Sequence, residues 1–256
     1  GRAGMRWGLV LLALVGLPSV AHAAVAVQSV STGSARVTNN GSVSTTAFTP
    51  AGSNRLLVVG VSMNDRNDGS RDATVGGVTF NGQAFPAGNP LAVQQENSND
   101  RARVELWYWL NPPQVNGVVT VTLAANSGTI PVVVGAICFS DVDQTTPFGT
   151  LSSGSGTSDP SSSLTVTTTT GDLVLDILAI PGNRMVGTSP GQSPQWGLPE
   201  VGWTSPGSNN NDVYGFSSTE LATGASVTMS ETFTDTGGAL QDSDWAQIAV
   251  PIRPAP

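Results

Sequence analysis

Lysine is absent from this chain, and histidine and cysteine each occur once. All ten basic residues are arginine, and the one histidine, His22, lies in an N-terminal segment that resembles a cleaved export leader. The chain after that segment therefore lacks imidazole, the group that most often moves protons near neutral pH, and has no side-chain amine to act as a nucleophile. Catalytic triads that need histidine and metal sites built on imidazole are excluded as well.

Charge is also scarce, since only 11% of the residues are charged and the formal net charge is −8. An acidic chain without a cluster of arginines attracts phosphate backbones poorly, so we expect no nucleic acid partner. The lone cysteine, Cys138, cannot form an intrachain disulfide. It lies in the apolar run 132–139, which predicts a strand buried on both faces, and we interpret it as a small buried hydrophobe and not as a reactive thiol.

Residues 1–23 have the pattern of a short upstream extension followed by a signal peptide. Met5 and Arg6 begin the leader, residues 7–17 are apolar, and Ala21-His22-Ala23 is a small-x-small cleavage pattern. We expect a mature chain from Ala24 that is secreted or periplasmic, with a retained anchor helix as the alternative. No later apolar segment reaches the length of a membrane span, so we expect none in the mature chain.

The remaining residues, 24–256, predict an all-β fold. Short segments rich in Val, Leu, Ile and Thr alternate with Gly, Pro, Asn and Asp clusters, and no stretch keeps a helical period. Asn81-Gly82 predicts a hairpin turn, Asn111 ahead of two prolines predicts a strand end, and residues 141–147 predict a turn held by Asp and Thr side chains. We predict a single antiparallel β-sandwich domain. The alternative is two domains divided in the Ser- and Thr-rich stretch 152–170.

Several segments resemble a recurrent, uncharacterised module of bacterial secreted proteins. They are 53–62 (SNRLLVVGVS), 104–113 (VELWYWLNPP) and 139–149 (FSDVDQTTPFG). The resemblance implies an extracellular, jelly-roll-like β-sandwich. It implies no activity and supplies no catalytic residues.

The strongest candidate for a ligand site is the strand 101–110. Its alternation places Arg103, Glu105, Trp107 and Trp109 on the face opposite the apolar one. Flat aromatic rings suit sugars, because C–H groups pack on the ring while the hydroxyls stay hydrated. The alternative is that a loop or an extra strand covers this face, so that both tryptophans belong to a second small core.

Two more tryptophans extend this hypothesis. Trp196 and Trp203 lie in the Gly- and Pro-rich stretch 181–211, which predicts a surface excursion able to form one wall of a cleft.

A structural calcium ion is the one cofactor that the sequence leaves open. Asp65, Asp68 and Asp72 lie in the polar loop 64–72 and would supply oxygen ligands. Two arginines in the same loop oppose a cation, and a simple turn explains the loop equally well. Otherwise we expect no cofactor.

These observations favour a secreted, non-catalytic protein that binds carbohydrate or other cell-surface components. One alternative is a self-associating structural subunit of an extracellular matrix or filament, because low charge and exposed strand edges favour assembly. The other is a carboxylate-dependent glycoside hydrolase, for which Glu105 is the best-placed acid.

Overall fold

The computed structural model describes residues 23–65, 73–96, 102–125, 128–182, 184–199, 212–235 and 237–256. The regular elements in these residues are seventeen strands. The first nine are β1 Ala26–Val37, β2 Ser42–Ser44, β3 Leu56–Asn64, β4 Val75–Phe80, β5 Gln83–Ala84, β6 Ala92–Gln95, β7 Ala102–Leu110, β8 Val119–Leu123 and β9 Ile130–Ser140. The others are β10 Ser152–Asp159, β11 Ser161–Thr167, β12 Leu173–Pro181, β13 Met185–Thr188, β14 Ser193–Pro199, β15 Val213–Leu221, β16 Ser226–Thr234 and β17 Ser243–Ile252.

The strands form four antiparallel sheets, which confirms the all-β prediction. The first central sheet has the order β1-β9-β3-β7-β6 and the second central sheet has the order β10-β17-β12-β15-β14. The first outer sheet is β2-β8-β4-β5 and the second outer sheet is β11-β16-β13. Because there are four sheets, the simple two-sheet sandwich of the prediction is not confirmed.

The four sheets are stacked, with three apolar cores between them. One core lies between the first outer and first central sheets, one between the two central sheets, and the third layer between the second central and second outer sheets. Leu57 and Val121 lie in the first of these layers, and Val58 and Ile177 lie in the second. Val174 and Met229 lie in the third.

The position of each sheet explains the sequence pattern of its strands. β3, β9, β12 and β17 run through the central sheets, are buried on both faces, and are therefore almost continuously apolar. Strands of the outer sheets have one solvated face and alternate, as in β11, where every second residue is buried. β10 and β11 occupy most of the stretch 152–170, so it is not a bare linker between domains.

The two halves of the chain repeat one strand arrangement. Leaving out the two-residue β5, each half has eight strands. We number these eight strands from 1 to 8 within each half. In both halves the central sheet then has the order 1-8-3-6-5, and the outer sheet has the order 2-7-4. The molecule is therefore built from two topologically equivalent units that pack against each other through their central sheets.

Two glycines permit this packing. Gly60 and Gly135 are direct partners across β3 and β9. A Cβ at Gly60 would lie 2.4 Å from the Ile177 side chain, and a Cβ at Gly135 would lie 2.1 Å from the indole of Trp196. Side chains from the second half therefore occupy the space that these glycines leave open.

The predicted turns are present. Asn81 and Gly82 both have positive φ values, 48° and 78°, between the paired strands β4 and β5, as the Asn-Gly hairpin signal predicts. Asn111, with φ 50°, follows the last residue of β7 ahead of two prolines. None of the described residues belongs to a helix able to cross a membrane.

Replacing Gly135 with alanine should destabilise the protein by about 1–3 kcal/mol, because the new methyl group overpacks the contact with Trp196. Urea unfolding measures the change. Gly77→Ala is the control, since a Cβ at that position in β4 meets nothing within 4 Å. Equal stability of the two variants would contradict the role given to Gly135.

Candidate functional site

The first outer sheet covers the predicted aromatic face of β7. Trp107 is only 3% exposed and belongs to the core beneath that sheet. Its Nε1 donates a hydrogen bond to Oε2 of Glu105 at 3.2 Å. A ligand therefore cannot reach the ring. Trp107 matches the alternative in which this face of β7 is covered and its tryptophan belongs to a second core.

Arg103 and Glu105 form a buried ion pair beside this tryptophan. Nε and Nη2 of Arg103 donate to Oε1 of Glu105 at 3.0 and 2.8 Å, and its Nη1 donates to Oε1 of Gln95 at 2.6 Å. The backbone N–H of Val75 also donates to Oε1 of Glu105, at 3.1 Å. With the indole of Trp107 on Oε2, both carboxylate oxygens of Glu105 have partners, so the pair anchors β4 and β6 to β7 and presents no free acid to a substrate.

Trp196 is also inside the molecule. It is 6% exposed and lies in the core between the two central sheets, where its ring packs over Gly135. It forms no wall of a surface cleft. Trp203 lies outside the described residues.

The predicted calcium loop is described only at its start. Asp65 is buried, and its Oδ1 accepts a hydrogen bond from the backbone N–H of Ala73 at 2.7 Å, which links the two ends of the loop. Asp68 and Asp72 lie outside the described residues. Within the described part of the chain, no three His, Cys, Asp or Glu side chains form a group that could hold a metal ion.

Trp109 differs from Trp107, because it is only partly buried and opens into a groove. This groove has a volume of about 300 Å³. It is lined by Pro86, Ala87, Tyr108, Trp109 and Leu110. The lining carries no charged side chain, and it combines residues that follow β5 with the last three residues of β7.

The two aromatic rings of the groove are each supported by another ring. Phe85 packs edge-on against Trp109, with ring centroids 5.6 Å apart. Phe148 packs edge-on against Tyr108, with centroids 5.1 Å apart. Such contacts fix the orientation of both rings, so the groove has an ordered aromatic lining before any ligand arrives.

A second groove of about 300 Å³ contains carboxylates, but these stabilise turns. Asp143 accepts hydrogen bonds from the backbone N–H groups of Thr145 and Thr146, which lower the pKa of its carboxyl group. Asp172 accepts a hydrogen bond from the backbone N–H of Thr169 at 2.8 Å. The predicted turn held by Asp and Thr side chains accounts for the hydrogen bonds of Asp143. The lowered pKa of Asp143 makes this residue a poor general acid for hydrolysis.

A buried polar cluster lies between the second central and second outer sheets. Its two carboxyl groups are Asp176 in β12 and Glu231 in β16, and neither is exposed to solvent. Nε2 of Gln247 donates to Oδ2 of Asp176 at 2.8 Å and also contacts Oε2 of Glu231 closely. Ser162 donates to the same oxygen of Glu231 at 3.0 Å, and Gln192 donates to Oε1 at 2.6 Å.

Burial keeps this carboxyl pair from ionising fully. Burial and, after it, the nearby charge of Asp176 together raise the pKa of Glu231 to about 9. Burial also raises the pKa of Asp176, while hydrogen bonds from Glu231, Ser218 and Gln247 oppose the shift. At neutral pH the pair therefore holds at least one proton, carried by Glu231.

The sequence pattern did not indicate a site at this cluster. One signal was available, because Asp176 interrupts the apolar run 173–180, and a charged residue in a strand buried on both faces requires a partner. The partner could not be identified, since Glu231 and Gln192 come from distant segments.

The interpretation of Cys138 as a buried hydrophobe is confirmed. It is fully buried, and burial raises the pKa of its thiol to about 11. At neutral pH it is a protonated, inaccessible thiol and is chemically inert.

Comparison with protein-family models, with curated proteins and with solved structures yields no significant match to this chain. The resemblance to a bacterial secreted module therefore stays a prediction.

Replacing Glu231 with glutamine should make the free energy of unfolding less dependent on pH. Glu231 keeps its proton up to a pH of about 9 in the folded protein, whereas its ordinary value is 4.5. The folded state binds more protons between these values, so its stability is full below 4.5 and falls as the pH rises, by up to about 1.4 kcal/mol per pH unit.

Urea unfolding of both proteins from pH ~5 to pH ~9 tests this difference. Asp143→Asn is the control. The pKa of Asp143 is lowered in the folded protein, so this substitution should leave the slope in that range unchanged. Parallel curves for the wild type and Glu231→Gln would contradict the protonated state of Glu231.

Proposed function

We propose that this is a secreted, non-catalytic protein built from two jelly-roll-like β-sandwich units, and that it binds carbohydrate in the groove beside Trp109. The observation that carries the proposal is the groove itself. It is a recess of about 300 Å³ lined by the aromatic rings of Tyr108 and Trp109 and by three uncharged residues.

The chemistry of the lining favours a neutral ring with C–H faces. Without a charged group, the groove has no means to compensate an ionised ligand, whereas an indole ring packs well on the C–H face of a sugar. Its volume is at the lower end of the range for small-molecule sites, which fits one or two sugar units better than a large ligand.

The repeated architecture shows that the fold does not itself require aromatic residues at this position. Leu110 pairs with Leu56 at the end of β7, and Leu221 pairs with Leu173 at the equivalent end of β15. Counting back from Leu221, Thr219 and Glu220 take the places of Tyr108 and Trp109. The aromatic residues of the groove are thus a property of the first half alone, which supports a role in binding.

Replacing Trp109 with alanine should weaken glycan binding about tenfold or more, because a central aromatic contact commonly supplies over 1.4 kcal/mol. An array of neutral and acidic glycans identifies the bound sugar, and calorimetry with that sugar measures the affinity. Leu240→Ala is the control, since it removes a side chain that is 64% exposed and lies outside the groove.

Binding should be unchanged in Leu240→Ala and weakened in Trp109→Ala, while both variants keep the thermal unfolding midpoint of a folded protein. Retention of no glycan by the wild type, or equal binding by both variants, would overturn the proposal.

Self-association as a structural subunit is a second candidate function, favoured by one feature. β1 is a twelve-residue edge strand of the first central sheet. It contains no lysine or proline, and its Val27 and Val30 are 38% and 37% exposed. A bulge between Val27 and Ser29, the charged Arg36 and a hydrogen bond from Thr46 to Thr32 protect part of this edge, and strand pairing would use the remaining part.

If β1 mediates assembly, light scattering should show a molecular mass that increases with concentration. Val30→Arg should abolish the increase by placing a charge on the edge, whereas Val115→Arg, at a position that is 40% exposed and outside β1, should not. A constant monomer mass over a wide concentration range would refute assembly.

A further inference from the structure

The polar cluster between the second central and second outer sheets holds a hydroxyl group, a carboxamide and two acids in contact. Ser218 lies in β15, Asp176 in β12 and Glu231 in β16, and all three are fully buried. Gln192, directly ahead of β14, is 8% exposed and directs its side chain into the cluster. Four separate segments therefore converge on one site that solvent does not reach.

Ser218 has the surroundings of an activated nucleophile. Its Oγ donates a hydrogen bond to Oδ1 of Asp176 at 2.8 Å, and its own backbone N–H donates to the same oxygen at 2.6 Å. A carboxylate in this position can accept the hydroxyl proton as a general base. Hydrogen bonds fix both groups, so the Ser218 oxygen has a defined orientation.

The carboxamide of Gln192 lies beside this hydroxyl as an electrophile. Its Nε2 donates a hydrogen bond to Oγ of Ser218 at 2.9 Å, so Cδ, the carbon bonded to this nitrogen, lies next to the hydroxyl group. Its Oε1 accepts a hydrogen bond from the backbone N–H of Ser230 at 3.0 Å, which polarises the C=O bond as a donor in an oxyanion hole does.

A proton donor lies on the other side of the amide nitrogen. Before any reaction, Nε2 of Gln192 donates a hydrogen bond to Oε1 of Glu231 at 2.6 Å, which places the carboxyl group next to this nitrogen. Because the pKa of Glu231 is raised to about 9, this carboxyl group holds a proton at neutral pH and can deliver it to a departing nitrogen.

We propose that Ser218 and Gln192 become joined by an ester bond within the folded chain. Oγ of Ser218 attacks Cδ of Gln192 and transfers its proton to Asp176. The C–N bond of the carboxamide then breaks, and the nitrogen leaves as ammonia with the proton that Glu231 supplies. One ester and one ammonia replace one hydroxyl and one primary amide, and the number of protons that the two acids hold is unchanged.

The remaining members of the cluster position these groups. Nε2 of Gln247 contacts both carboxyl groups and holds them together, while its buried Oε1 has no hydrogen-bond partner among the described residues. Ser162 donates to Glu231, and within the same residues its hydroxyl group makes no hydrogen bond to the Gln192 carboxamide. Ser218 is therefore the nucleophile that the geometry selects.

Such a bond would compensate for the missing disulfide. Cys138 is the only cysteine, so no intrachain disulfide can limit the freedom of the unfolded chain. An ester between residues 192 and 218 closes a loop covalently and restricts the unfolded ensemble as a disulfide does. Exclusion of water from the cluster protects the ester from hydrolysis.

Intact mass spectrometry of the purified full chain in denaturant tests the proposal, after N-terminal sequencing has established where the chain begins. The wild type should weigh less than its sequence by one ammonia. Chymotrypsin, which cuts between the two residues at Trp196 and Phe216, should release one linked fragment containing both Gln192 and Ser218.

Variants separate the ester from other losses of ammonia. Ser218→Ala should have the full sequence mass, and Ser163→Ala, which changes an exposed serine of β11 outside the cluster, should keep the deficit. A wild type of full mass, a deficit that persists in Ser218→Ala, or a deficit that maps to another segment would overturn the proposal. The wild-type fragment map decides the matter even if Ser218→Ala fails to fold.

Discussion

The face-to-face packing of the two central sheets is the constraint on which the rest of this molecule depends. Gly60 and Gly135 leave a shallow area on the first central sheet, and Ile177 and Trp196 from the second half fill it. Once the sheets meet there, four strands are buried on both faces and must be apolar throughout. Each central sheet then needs an outer sheet to cover its remaining face, and this requirement produces the four-layered stack.

The same stacking decides which polar and aromatic groups are available for function. The first outer sheet closes over Trp107 and ends before Trp109, so two tryptophans on one face of one strand have different roles. In the second half the equivalent layer encloses Asp176 and Glu231 with glutamines and serines. Burial therefore keeps a proton on the pair Asp176 and Glu231, whereas partial exposure allows Trp109 to line a groove.

Much of the fold could be predicted from local pattern, but the functional features mostly could not. Alternation in β7 and β11, the Asn81-Gly82 hairpin and the turn at Asp143 follow from interactions within a few residues, and all are present. The predicted ligand residues are divided, since Trp107 and Trp196 are core residues and Trp109 lines a groove. All three residues are tryptophans, and neither the residue type nor the alternation along a strand shows which sheet will cover each side chain.

The sequence by itself determined the chemical limits of this protein: no lysine, no disulfide within the chain, and strands in place of helices. These properties follow from the composition and from the two-residue alternation of apolar side chains, and both are visible in the sequence itself. Only the tertiary structure decided that the halves share one strand arrangement, and that Ser218, Gln192, Asp176 and Glu231 meet. The physical reason is that strand pairing joins segments far apart in the chain, and sheet stacking then removes water from whichever side chains lie between the layers.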